Sequence, residues 1–161
     1  LSLLAYGSIA LTGSDATVLS YIVAFCVLGA GIGSAETLSN DLIISSVTPD
    51  KAGAASGVSE TAYELGAVLG TAVLGSILTA SYRSTIEIPE GLNATDSTAA
   101  RETLGGAVEV ASSAPAGVGE QLLDSARHAF DSGVVTTSWV AVALMAVAIT
   151  ITLVTLRSVR S

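Results

Sequence analysis

The stretch VVTTSWVAVALMAVAITITLVTL, residues 134–156, decides the fold. It contains no charged residue, and its polar members are almost all hydroxyl residues. About 20 mainly apolar residues in a helix are enough to cross the hydrocarbon core of a bilayer. The stretch therefore predicts a transmembrane helix over residues 133–156. The basic tail that follows it, residues 157–161, carries Arg157 and Arg160.

Two further long apolar stretches, residues 17–46 and 54–82, predict two more transmembrane helices. Residues 1–11 predict the end of another, with a turn over Thr12–Asp15. Half of the chain is hydrophobic and only 12% is charged, whereas soluble domains carry about 25% charged residues. We therefore predict an all-α membrane protein. Because the chain opens with Leu1 inside an apolar run, we also expect it to be a C-terminal fragment.

The polar segment of residues 83–132 holds eight of the fourteen acidic residues and three of the arginines. This charge balance argues against a nucleic-acid partner, which would need a basic face. Residues 97–112 and 117–131 each predict an amphipathic helix, with a break over residues 113–117. The apolar stripes of the two helices are Leu104, Val108 and Ala111, and Val118, Leu122, Ala126 and Phe130. A helical hairpin is the main prediction, and a disordered loop is the alternative.

The basic residues predict the orientation, since Lys and Arg close to span ends favour the cytoplasmic side. Lys51 lies in the short connector of residues 47–51, and Arg157 and Arg160 abut the last span. The three arginines of residues 83–132 are diluted among acids. We therefore expect the connector and the tail to be cytoplasmic and the hairpin loop to be extracellular.

Four carboxylates lie within predicted spans, where an ionisable residue costs about 2.5–3.5 kcal/mol on insertion scales. They are Glu36, Asp41, Glu60 and Glu64, and neither span contains Lys, Arg or His. Glu60 and Glu64 share one helix face, and Tyr63 offers an aromatic ring to a cation. Such a pair favours binding of a proton or a cation.

The distance of each acid from the connector predicts depth in the membrane, at about 1.5 Å per residue. By this count Glu36 and Glu64 lie at one depth, and Asp41 and Glu60 lie together at a shallower depth. Asp41 and Glu60 could instead be interfacial residues. Asn40 suits a hydrogen bond between helices better than a ligand-binding role.

Glycines at four-residue spacing, Gly29 with Gly33 and Gly66 with Gly70, predict close helix packing. Cys26 is the sole cysteine and His128 the sole histidine. The sequence therefore gives no reason to expect a metal, a cofactor or enzymatic activity.

Residues 48–57, TPDKAGAASG, resemble the cytoplasmic connector of the fourteen-span drug:proton antiporters of the major facilitator superfamily. Residues 59–76, SETAYELGAVLGTAVLGS, are similar to the penultimate span of the quaternary-ammonium efflux proteins in that family. The resemblance implies the end of span 11 and spans 12–14 of a multidrug efflux transporter. It also implies a role for Glu60 and Glu64 in binding substrate or proton, although the family often has Asp where Glu64 stands. Glu36 has no clear counterpart.

The resemblance further implies alternating access, with lipophilic cations exported in exchange for protons. Its partners would be those cations, protons, the lipid bilayer and the remaining N-terminal spans, in a bacterial plasma membrane. An alternative from another class is a membrane-anchored assembly subunit, in which the intramembrane acids bind basic residues of a partner.

Overall fold

The computed structural model describes residues 1–12, 17–115 and 117–159, with side chains as far as Thr155. The predicted turn after Thr12 and the side chains of Arg157 and Arg160 lie outside the described residues. Within the described residues all regular structure is helical, and three helices are long and apolar enough to cross a membrane. The prediction of an all-α membrane protein is confirmed.

The described residues form six α-helices and one short 3₁₀ turn. In order, these are α1 (Ser2–Thr12), α2 (Val18–Ser45), the 3₁₀ turn (Pro49–Lys51), α3 (Ala52–Thr85), α4 (Ala94–Glu102), α5 (Leu104–Ser113) and α6 (Val118–Val159). The membrane-length helices are α2, α3 together with the 3₁₀ turn, and α6.

Local sequence sets the ends of these helices. Thr17 caps α2, because its side-chain oxygen accepts a hydrogen bond from the backbone N of Ser20 at 3.3 Å. Pro49 then starts the 3₁₀ turn, where its missing N–H costs nothing and its fixed φ suits a first helical residue. The connection from α2 to α3 is therefore short, and the two helices run antiparallel.

Helix α6 packs along α3 in the antiparallel direction. Near one end, Gly133 of α6 lies so close to Leu78 of α3 that an added Cβ would be 2.8 Å from Leu78 Cδ1. Twelve residues further along α6, Met145 lines a cavity together with Gly66 of α3. The short connector before α3 therefore lies at the opposite end of the bundle from α4 and α5.

The most buried part of the molecule lies beyond the Gly133 crossing. We call it the helical cap, defined as residues 86–130 with α4, α5 and the first turns of α6. Its buried core consists of Tyr82, Ile86, Ala100, Ala107, Val110, Leu122, Ala126 and Ala129. The hydroxyl of Ser125 accepts a 2.8 Å hydrogen bond from the backbone N of Glu87, which ties α6 to the chain leaving α3.

The helices of the cap differ from the predicted hairpin in two ways. Residues 97–112 do not form one helix: the chain breaks at Thr103, whose side chain accepts a 3.0 Å hydrogen bond from the backbone N of Gly106 and caps α5. The predicted second arm and the last span are one continuous helix of 42 residues. Asp131, Ser132 and Gly133 are weak helix formers, but no proline interrupts the helix and its packing against α3 and the cap extends on both sides of them.

The predicted stripes are buried unequally. Leu122 and Ala126 are fully buried, whereas Val108 is 50% exposed because Ala107 and Val110 form the packed face of α5. The extracellular position of the cap stays a prediction.

Candidate substrate-binding cleft

A cleft of about 720 Å³ opens between α2 and α3 on the connector side of the bundle. From α2 it is lined by Glu36, Thr37, Asn40, Asp41 and Ile44, and from α3 by Ser56, Gly57, Ser59, Glu60 and Tyr63. Three of the four intramembrane carboxylates thus face one space. Among the residues that the structure describes, no Lys, Arg or His lines it. We call this space the acidic cleft.

The bounds of the helices correct the depth pairing that the sequence predicted. Glu36 lies nine residues before the end of α2, and Glu60 lies eight residues after the start of α3. These two carboxylates are therefore at similar distances from the connector-side helix ends, about 14 and about 12 Å at 1.5 Å per residue. Glu64, which the sequence analysis paired with Glu36, lies twelve residues after the start of α3, or about 18 Å from it.

Glu64 is not part of the acidic cleft. It is exposed and lies one turn beyond Glu60, rotated by about 40° around the helix and about 6 Å further along it. Tyr63 is the last α3 residue that lines the cleft. Of the four predicted site residues, the structure therefore brings together Glu36, Glu60 and Tyr63, and it leaves Glu64 apart.

The carboxylates of the cleft have no basic neighbour. Among the described side chains the single ion pair joins Arg127 to Asp124 at 4.0 Å, far along the chain in the helical cap. Glu36, Asp41 and Glu60 are exposed to the cleft. A cation entering the cleft would therefore meet carboxylates that no arginine or lysine of the described chain neutralises.

A second cavity of about 1110 Å³ lies on the other side of Tyr63. Its lining is almost entirely apolar and includes Ile43 of α2, Ala62 of α3 and Met145 of α6. Ser59 and Tyr63 line both cavities, so the Tyr63 ring stands between a carboxylate-rich space and an apolar one. Lys51 is the one basic residue of the second cavity, at its connector end.

The four glycines predicted to pack helices closely do not do so within the described chain. A Cβ added at Gly29, Gly33, Gly66 or Gly70 would meet nothing within 4 Å. Their packing stays a prediction about helices outside this chain. Close approaches occur instead at four other glycines: Gly31 against Leu1 and Ser2, Gly106 against the Ala99 carbonyl, Gly119 against the Ala111 carbonyl, and Gly133 against Leu78.

Sequence reasoning also passed over the neutral polar residues of the cleft. Thr37 and Ser56 line it beside the carboxylates, and Asn40 lines it too. The signal for Thr37 and Asn40 was their spacing from Glu36 and Asp41, which places them on the same face of α2. The described residues contain no group of three or more His, Cys, Asp or Glu arranged to hold a metal ion.

Three membrane-length helices and an acidic cleft between two of them define a multi-pass membrane protein. The chain is 54% identical over 129 residues to the multidrug efflux pump LfrA of Mycolicibacterium smegmatis, a match that covers 80% of this chain and 26% of the pump. It is 40% identical over 104 residues to the methyl viologen resistance protein SmvA of Salmonella typhimurium, covering 65% of this chain and 21% of that protein.

The chain belongs to the family of these proteins, the multidrug efflux transporters of the major facilitator superfamily. This confirms the family that the connector and the penultimate span resembled. The two relatives are bacterial and are not enzymes, which supports a multi-pass protein of the bacterial plasma membrane without enzymatic activity. They give no support to an assembly subunit.

The chain spans about a quarter of the length of the relatives it matches. No family model matches the sequence, and no solved structure matches it.

Proposed function

We propose that this chain is part of a proton-coupled transporter that exports lipophilic cations by alternating access. The proposal assigns the cation site to the acidic cleft, with Glu36 and Glu60 as counter-charges and Tyr63 as the aromatic contact. The observation that carries it is the convergence of Glu36, Asp41 and Glu60 from two helices on a space that no basic residue lines.

The neighbouring apolar cavity supports a lipophilic rather than a small hydrated cation. A bulky organic cation needs apolar surface for its body and a counter-charge for its nitrogen, and Tyr63 borders both kinds of space. Methyl viologen, named in one relative, is a flat aromatic dication. Two carboxylates at equal depth on facing helices would suit a ligand with two positive charges.

Proton coupling follows from the same residues. A carboxylate that binds a proton loses the charge that holds the cation, so protons and cations compete for the cleft. When the cleft faces outward, protonation of Glu36 or Glu60 would release the cation. When the cleft faces inward, loss of the proton would restore the cation site. This cycle fits alternating access, in which two halves of a transporter rock around a fixed binding site.

The test is export of one monovalent dye, ethidium, and one divalent compound, methyl viologen, from vesicles containing the full-length protein. Glu60→Gln and Glu36→Gln keep side-chain size and remove the charge. We expect each to slow methyl viologen export by about tenfold, the equivalent of about 1.4 kcal/mol, and ethidium export less. A second positive charge loses more when a counter-charge is removed from a poorly screened cavity.

Glu64→Gln should have a smaller effect, because Glu64 does not line the acidic cleft. The matched control is Glu109→Gln, an exposed carboxylate of α5 in the cap, which should export both compounds normally. Wild-type export of both compounds by the Glu36→Gln/Glu60→Gln double variant, at acidic and at neutral pH, would refute the assignment of the site.

A further inference from the structure

A small basic cleft of about 240 Å³ lies where α3 leaves the membrane-length segment and meets α4. It is lined by Arg83 of α3 and by Ser97, Thr98, Arg101 and Glu102 of α4. Residues 83–132 contain only three arginines among eight acids. Two of those three arginines therefore converge on one cleft, in the most acidic part of the chain.

Neither arginine is used in an ion pair within the described chain. The third arginine, Arg127, pairs with Asp124 at 4.0 Å, but no carboxylate lies within 4.0 Å of the guanidinium groups of Arg83 or Arg101 among the described side chains. Glu102 lines the cleft without reaching either of them. The cleft thus offers two free guanidinium groups, two hydroxyls and one carboxylate, a net charge of one positive.

A buried hydrogen bond joins the two helical turns that carry the arginines. The Tyr82 hydroxyl donates to the backbone carbonyl of Ala100 at 2.8 Å, and both residues are almost completely buried. Arg83 and Arg101 are the next residues along the chain from this pair. Their proximity is therefore built into the packing of α3 against α4.

The cleft lies where the apolar run of α3 ends, which is where a membrane-spanning helix leaves the hydrocarbon core. Tyr82 ends this run, and its side chain is buried in the packing of α3 against α4. Arg83 also belongs to an open face of α3 that runs back to Thr71, about 18 Å at 1.5 Å per residue. The other residues of this face are small, Gly75, Ser76, Thr79 and Ala80, and we call this shallow surface the α3 groove.

We propose that Arg83 and Arg101 bind the phosphodiester of an anionic phospholipid, with one acyl chain lying in the α3 groove. The guanidinium group of arginine can donate two parallel hydrogen bonds to phosphate oxygens. The Ser97 and Thr98 hydroxyls can donate to the same phosphate. The net charge of the cleft suits the single negative charge of a phosphodiester better than a free phosphate dianion. The site is independent of the acidic cleft, which lies at the other end of α3.

The experiment measures lipid binding to the purified full-length protein by native mass spectrometry, in titrations with phosphatidylglycerol and with phosphatidylcholine. Arg83→Gln/Arg101→Gln should lower phosphatidylglycerol binding by about 30-fold, about fivefold for each arginine near a membrane surface. Phosphatidylcholine binding should change little. Arg127→Gln removes the third arginine of the same segment and should leave both lipids unaffected.

A second variant tests the groove. Gly75→Leu fills space that is open in the structure, so it should weaken phosphatidylglycerol binding without removing a charge. Unchanged binding in that variant would refute the acyl-chain position. An equal loss of phosphatidylglycerol binding in Arg127→Gln would show that binding depends on the overall charge of the segment and not on this cleft. Displacement of the lipid by an equal concentration of inorganic phosphate would show a soluble-anion site and refute the lipid.

Discussion

Gly133 of α6 and Leu78 of α3 approach so closely that a Cβ at position 133 would lie 2.8 Å from Leu78 Cδ1 and 3.3 Å from the Leu78 carbonyl oxygen. Gly133 is buried at this crossing. The contact fixes the separation of the two helices at the point where they enter the helical cap. A side chain at position 133 would force the Leu78 side chain to move, so glycine suits this crossing.

Gly133→Leu should therefore destabilise the protein by about 1–3 kcal/mol, as overpacking of a tight contact does. The measurement is thermal unfolding of the full-length protein in detergent. Thr136→Leu is the matched control, because position 136 is exposed on the same helix. An equal fall in unfolding temperature for both variants would contradict the role given to the crossing.

Leu122 is the largest fully buried side chain of the described residues, and its loss should open the cap. Leu122→Ala leaves a cavity that costs about 2–5 kcal/mol in comparable cores, and Leu122→Asp should cost more. We expect faster proteolysis around Pro115, where α5 turns into α6. Val108→Ala, at a half-exposed site on the facing helix, should be cleaved at the wild-type rate. Equal cleavage of the Leu122 and Val108 variants would contradict the packing.

Tyr63 should contribute through its ring rather than its hydroxyl. A cation over an aromatic face gains about 0.5–1 kcal/mol at an exposed site, which corresponds to about two- to fivefold in binding. Tyr63→Leu should reduce ethidium export by that factor, whereas Tyr63→Phe should keep it. The comparison needs equal expression of the variants. Loss of export in Tyr63→Phe alone would assign the role to the hydroxyl.

Cysteines introduced at positions 51 and 101 should be labelled from opposite sides of the membrane, since α3 separates the connector from the cap. After replacement of Cys26 by Ser, Lys51→Cys and Arg101→Cys are each treated with an impermeant thiol reagent on intact cells. Only position 101 should react, because the basic residues near the connector favour the cytoplasmic side. Reaction at position 51 from outside would invert the orientation.

The three membrane-length helices could be predicted because apolar runs of sufficient length leave few alternatives. The four acids could also be singled out, because placing a carboxylate within a membrane span costs free energy and is therefore rare without a functional reason. Which acids meet could not be predicted, because counting residues along two helices does not show which face of each helix is turned toward the other.

Close packing of glycines depends on neighbours that spacing does not reveal. Gly66 and Gly70 have the favoured spacing and touch nothing in the described chain, while the isolated Gly133 is in tight contact. The break at Thr103 had a weak local signal, a threonine followed three residues later by the N–H it caps. That signal was outweighed by the apolar spacing on both sides of it.

The continuity of α6 links the membrane to the cap mechanically. The 15 residues from Val118 to Gly133 extend beyond the α3 crossing by about 22 Å, at 1.5 Å per residue. A tilt of α6 by about 10° would displace the Val118 end by about 4 Å and carry the packed α5 with it. When the last membrane helix tilts, this part of the helical cap would therefore move several times further than the crossing itself.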